Sequence, residues 1–195
     1  IDGSVLEVNG NRFFMWCGRP DVTNQNLTQN IYIAKMSNPY TIEGNATMLT
    51  APEFNWEKNG FGVNEGPQAL ISPDNKIFII YSASYCGTDD YALGQLALKA
   101  GGNPLVKADW TKSTQPVFTK LPQSNAFGPG HNSFFKSPDG KEYWLIYHAN
   151  SATNQGCADR RNIRMQKFTF KADGNPDFGV PVATGLAISL PSGEK

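Results

Sequence analysis

The chain repeats itself at a fixed interval, and that limits its fold more than any local pattern does. Three segments read alike: Gly10-Asn11-Arg12-Phe13-Phe14-Met15-Trp16-Cys17, Asn75-Lys76-Ile77-Phe78-Ile79-Ile80-Tyr81-Ser82 and Gly140-Lys141-Glu142-Tyr143-Trp144-Leu145-Ile146-Tyr147. Each begins at a turn residue and runs into β-branched and aromatic side chains, the composition of a buried strand. Gly10 to Asn75 is 65 positions, and Asn75 to Gly140 is another 65. Self-similarity at a fixed period marks a repeat architecture and outranks local propensity.

The rest of each unit recurs too. A second strand-like run follows at Asn30–Lys35, Leu93–Leu98 and Arg161–Gln166, and after each comes an Asn-Pro pair: Asn38-Pro39, Asn103-Pro104 and Asn175-Pro176. Asparagine caps its own turn, and proline fixes φ and cannot extend a ladder, so each pair predicts a turn with a weaker outer strand beyond it. No segment carries a convincing 3.6-residue apolar stripe; Tyr91 to Ala100 resembles a short helix, but its place in the repeat predicts a strand. The expectation is an all-β chain, a β-propeller of about three four-stranded blades, with units at approximately 1–62, 63–127 and 128–195. Three units account for the 195 residues. A ring needs at least about four blades to close, and three would leave sheet edges bare. The start at Ile1-Asp2-Gly3, without an initiator Met, is read as pointing to a missing upstream part.

Composition narrows the classes. Lys and Arg number 17 against 17 Asp and Glu, a balance that argues against a nucleic-acid partner, which calls for a basic patch. No apolar run approaches 18 residues, so none reads as a membrane-spanning helix. Hydrophobic residues at 39% suffice for a core. Cys17, Cys86 and Cys157 are an odd set without metal-ligand spacing; at least one is free or paired outside the chain, and the pairing is open. Two glycosylation sequons, Asn26-Leu27-Thr28 and Asn45-Ala46-Thr47, fall in turn-like segments and, with the cysteines, tilt the reading toward secretion.

The innermost strands of propeller blades line one axis, so equivalent positions converge. Asp2 stands eight positions before Gly10, Glu65 ten before Asn75 and His131 nine before Gly140. Singly, each has a plain explanation: a turn aspartate, a turn cap, a core histidine. Together, at matched repeat positions, three titratable groups delivered to one mouth form an acid–base constellation.

The pieces Ile1-Asp2-Gly3-Ser4-Val5, Asn64-Glu65-Gly66-Pro67, Phe127-Gly128-Pro129-Gly130-His131-Asn132-Ser133 and Arg161–Gln166, in this order, resemble the five-bladed propeller enzymes of glycoside hydrolase family 43. Within it, the chain looks most like the C-terminal three-fifths of enzymes acting on arabinofuranosyl linkages. The resemblance implies an inverting hydrolase. Glu65 corresponds to its general acid and Asp2 to the aspartate that orients that acid and, by like charge, favours its protonated form. The general base would lie upstream of Ile1, leaving the isolated chain inactive. His131 corresponds to an axial histidine, which either contributes to the floor of the sugar pocket or helps hold a calcium ion. Arg161 is expected in the pocket, bonding a sugar hydroxyl or Glu65, whereas Arg164 is expected as a surface charge. Among Trp16, Trp56, Phe61, Tyr85 and Phe127, the first choices to stack on sugar are Trp56 and Phe127. The substrate implied is an arabinose- or xylose-containing plant oligo- or polysaccharide, met outside the cell. The alternatives are a β-xylosidase of the same family, a non-catalytic sugar-binding propeller and a protein-interaction propeller.

Overall fold

A computed structural model describes all of residues 1–195, and it is built from β-strands and short 3-10 turns. The first sheet takes β1 (Ser4–Val8), β2 (Asn11–Gly18), β3 (Asn30–Asn38) and β4 (Thr41–Thr50). The second takes β5 (Asn64–Ile71), β6 (Ile77–Ala83), β7 (Ala92–Leu98) and β8 (Trp110–Lys112), and the third β9 (Phe127–Lys136), β10 (Tyr143–Asn150), β11 (Arg161–Phe170) and β12 (Pro176–Asp177). Each sheet is a four-stranded antiparallel meander paired in chain order. The innermost strands β1, β5 and β9 lie side by side. Three radially packed sheets of this kind are propeller blades. Phe127 opens the third sheet, so it belongs with the residues that follow it.

Alternation along β6 shows why the repeat packs. Ile79, Tyr81 and Ala83 point into the seam with the first sheet, and Phe78 and Ile80 into the seam with the third. A strand covered on both faces reads as a continuous apolar run, which is what residues 77–81 present. In β2 only one face is covered: Phe13, Met15 and Cys17 are buried. Phe14 and Trp16 lie on the other face, where Trp16 stacks with Phe14 and Tyr32 at 5.6 and 5.7 Å between ring centres.

Outer strands lie beyond the first two Asn-Pro pairs, but the first, β4, is ten residues long and not weak, β8 has three, and β12 begins at Pro176 itself and has two. Asn26 is exposed in a loop, but Asn45 sits inside the edge strand β4, not in a turn.

Cys86 and Cys157 form a disulfide across a sequence separation of 71, and Cys17 is free and buried. The bridge ties the loop after β6 to the loop after β10. Closing so long a loop restricts the unfolded chain, so replacing both cysteines by serine is expected to cost about 2–4 kcal/mol. A urea unfolding curve of the double variant against the parent, under non-reducing conditions, checks this; coincident midpoints would contradict it.

One buried polar cluster fixes the approach to β5. Glu57 is wholly buried and pairs with Lys112 Nζ at 2.8 Å. Its Oε1 accepts from Asn64 Nδ2 at 2.9 Å and the Tyr81 hydroxyl at 3.0 Å, and its Oε2 from the backbone N–H groups of Glu53 and Phe54 at 2.7 and 2.9 Å. Lys112 also donates to the Ala51 carbonyl at 2.7 Å. A buried charge so fully partnered holds its place, and here it pins Asn64, the residue before Glu65.

Candidate active site

Backbone irregularities turn side chains toward one end of the inner strands. Asp2, Gly66 and His131 all take left-handed φ values, 57°, 57° and 53°. Such values are uncommon for residues with a Cβ and are held only by surrounding structure. The β5–β6 register shifts between Glu65 and Gln68, and the β9–β10 register shifts on both sides of His148. Bulges of this kind re-aim side chains. Gly130 is a steric requirement, since a Cβ there would lie 2.3 Å from the Tyr91 ring, whereas Gly66 is favoured by its left-handed φ.

Asp2, Glu65 and His131 are brought together. Asp2 Oδ2 accepts the backbone N–H of Gly66 at 3.2 Å and the Cys17 thiol at 3.1 Å. Asp2 Oδ1 lies 3.8 Å from His131 Nε2. Glu65 Oε1 accepts the Tyr91 hydroxyl at 2.6 Å, and Oε2 accepts Gln29 Nε2 at 3.0 Å. Tyr91 Oη is also 3.3 Å from His131 Nδ1.

Electrostatics keep the supports neutral. Burial, reinforced by the adjacent Glu65 carboxylate, pushes the Tyr91 phenol well above its ordinary range, so it serves as a neutral donor. Burial and the hydrogen bond to Asp2 push the Cys17 thiol up to about 12; it stays protonated and donates. Burial, with Arg161 and His131 nearby, pulls His148 down to about 4. The neutral His148 ring stacks on Tyr91 at 5.7 Å and on His131 at 6.2 Å, and its Nε2 meets Arg161 Nη1 at 3.1 Å.

Glu65 opens onto a cavity of about 360 Å³ lined by Arg19, Gln25, Gln29, Phe61 and Tyr85. It is the only carboxylate in that lining. Larger concavities of about 510 and 530 Å³ lie by the far ends of β5 and β9 and between the first two sheets, away from Glu65; His131, Tyr91 and Asp2 stand behind Glu65 and do not line its cavity.

Several placements differ from the sequence reading. Trp56 does not line the cavity; its Nε1 donates to the Thr114 carbonyl at 3.0 Å and its ring packs on the first seam. Phe127 is also absent from the lining; the aromatics there are Phe61 and Tyr85. Arg161 engages His148 and not Glu65. Arg164 is not a surface charge: it is 4% exposed and donates to the carbonyls of Val182 and Asn125, each at 2.6 Å. Side chains alternate along β11. Arg164 and Gln166 turn inward to hold the C-terminal segment, while Ile163 is 84% exposed. Gln29, Tyr91 and His148 escaped sequence reasoning. Only the fact that His148 is one of two histidines could have flagged any of them.

Three propeller blades thus bring Asp2, Glu65 and His131 to one end of their inner strands, beside a cavity with polar and aromatic walls. The family model for glycosyl hydrolases family 43 matches residues 1–176, and the chain belongs to that family. It is 42% identical over 191 residues to an extracellular exo-alpha-(1->5)-L-arabinofuranosidase of Streptomyces avermitilis, covering 95% of this chain and 39% of that protein. It is 37% identical over 195 residues to alpha-L-arabinofuranosidase 43 of Humicola insolens, again covering 95% and 39%. Among solved structures, the alpha-L-arabinofuranosidase from Lactobacillus brevis superposes with a TM-score of 0.86 at 36% identity, covering 96% of this chain and 57% of that one. The chain therefore spans about two-fifths of the length of these curated relatives.

Proposed function

We propose that this chain is the C-terminal three-blade part of an inverting α-L-arabinofuranosidase that acts outside the cell on arabinose-containing plant polysaccharide. The observation that carries the reading is Glu65 at a cavity wall, with both carboxyl oxygens held by neutral donors and its strand tied to Asp2 through the Gly66 N–H. The names of the similar proteins supply the sugar. The extracellular names of relatives and the Cys86–Cys157 bridge, a bond of oxidising compartments, support the location.

In this reading the Glu65 carboxyl gives its proton to the glycosidic oxygen as the bond to the anomeric carbon breaks. A water attacks that carbon from the opposite face and loses its proton to a general base, about 6.5–9.5 Å from the acid in inverting enzymes. That base would come from a blade outside this chain. Coverage of 57% of a solved relative is close to the share three blades have of five. The aromatic ladder Phe14–Trp16–Tyr32 and Ile163 offer faces for such blades. Asp2 positions the acid, and Arg19, Phe61 and Tyr85 are the cavity groups suited to sugar hydroxyls and C–H faces. At the axis, His131 and Asp2 offer one imidazole and one carboxylate. Calcium takes six to eight oxygens, so these two would need donors from other blades and water to hold it, and the mechanism routes no step through a metal.

The test is release of arabinose from α-1,5-linked arabino-oligosaccharides, measured for these 195 residues alone and for the complete domain encoded with its upstream blades. Turnover by the complete domain, and a loss of at least about 10²-fold for the isolated chain, is expected. Full turnover by the isolated chain would overturn the three-blade reading, and an inactive complete domain would overturn the enzyme.

A further inference from the structure

Gln29 stands apart among the groups around Glu65, because it is bound to the acid's strand by both backbone and side chain. Its N–H donates to the Gly62 carbonyl at 3.1 Å, and its carbonyl accepts the Asn64 N–H at 2.8 Å, a parallel bridge from the first sheet to the strand that carries Glu65. Its amide Nε2 then reaches Glu65 Oε2 at 3.0 Å and Cys17 Sγ at 3.0 Å. The Cys17 thiol spends its own proton on Asp2 Oδ2. Its sulfur therefore faces Gln29 as an acceptor, and only the NH₂ end of the amide suits it.

We infer that Gln29 is a positioning residue for the general acid: oriented by Cys17, its amide holds Glu65 Oε2. Its partner on Oε1 is Tyr91, so the carboxyl is gripped at both oxygens and its proton is delivered from one fixed plane. A closed chain of contacts results, Asp2–Cys17–Gln29–Glu65 on one side and Asp2–His131–Tyr91–Glu65 on the other. Gln29 alone among the contacts to the carboxyl oxygens lies in the loop between β2 and β3, so the first sheet sets the geometry of an acid carried by the second. The inference rests on the arabinofuranosidase reading and deepens it.

The complete domain, its Gln29→Met variant and its Cys17→Val variant are compared on two substrates. One is an α-1,5-arabino-oligosaccharide, whose departing alcohol needs a proton. The other is 2,4-dinitrophenyl arabinofuranoside, whose departing phenolate does not. Loss of a hydrogen bond to the carboxylate that forms as Glu65 gives up its proton predicts that the ratio of kcat/KM on the oligosaccharide to that on the aryl glycoside falls about tenfold in Gln29→Met. A smaller fall in the same direction is expected for Cys17→Val, which keeps the side chain's bulk but frees the amide to turn and removes the thiol's bond to Asp2. Equal losses on both substrates, or no loss on either, would overturn the assignment and leave Gln29 a packing residue. Should one variant not fold, the other carries the same comparison. A parent inactive on both substrates would instead defeat the enzyme reading, and the assignment would fall with it.

Discussion

In the complete domain, Glu65→Gln is expected to lower kcat/KM on an arabino-oligosaccharide by about 10²–10⁴-fold, the contribution of a positioned general acid. The amide keeps the shape of the carboxyl but has no proton of comparable acidity to give. The new amide oxygen can accept from the Gln29 amide while its NH₂ donates to the Tyr91 oxygen, whose proton can turn to His131 Nδ1, so the fold should tolerate the change. Sugar binding should survive, because the cavity walls at Arg19, Phe61 and Tyr85 are untouched. Titration calorimetry with arabinose, alongside initial rates, separates the two effects. Undiminished turnover would remove Glu65 from the chemistry. Binding by a parent that shows no turnover would mark a sugar-binding propeller instead.

Lys112→Met is expected to be strongly destabilising. It leaves the Glu57 carboxylate wholly buried without its cation, and stranding one member of a buried pair costs about 3–5 kcal/mol. The pH dependence gives an independent signature. Burial works to raise the Glu57 carboxyl, but Lys112 and the N–H groups of Phe54 and Glu53 together hold it below the ordinary range. The same burial draws the Lys112 ammonium down. With a carboxylate at 2.8 Å and the Ala51 carbonyl at 2.7 Å, the pair stays ionised near neutrality. A depressed acid contributes stability that is fully present above its unfolded value, about 4.3, and is lost as pH falls through the lower folded value. The parent should therefore lose urea resistance on acidification below about pH 4. In Lys112→Met the burial that raises the carboxyl is opposed only by hydrogen bonds, so this part of the acid loss should shrink. A parent and variant with parallel stability–pH curves would show that the pair is not coupled to folding. Because Asn64 donates to Glu57 and stands next to Glu65, the variant also tests how far this anchor holds the acid in place.

How much could be read without the fold follows from which interactions are local. The strand runs at 77–83 and 143–147 and the Asn-Pro turns repeat because each blade solves the same packing problem with the same two-residue alternation. The convergence of Asp2, Glu65 and His131 followed from that register alone, since equivalent positions on adjacent inner strands must meet at the axis. The choice of aromatic wall did not follow. Trp56 is nine residues from Glu65 in the chain, yet it turns into the first seam, while Tyr85, from the next turn of the blade, faces the cavity. Arg164 looked like a surface charge because an isolated strand carries no record of the C-terminal segment folding back onto its carbonyl-lined pocket.

Chain order, repeat period and side-chain alternation were thus enough to establish three propeller blades and to put an acid, an aspartate and an imidazole at their common end. The tertiary structure alone decided the Cys86–Cys157 pairing, the burial of Arg164, and the grip on Glu65 by Gln29 and Tyr91, 36 and 26 residues away in sequence. Those contacts cross from sheet to sheet or from loop to strand. Their geometry depends on bulges at Gly66 and around His148 that bend the backbone by amounts no pattern of residue types encodes.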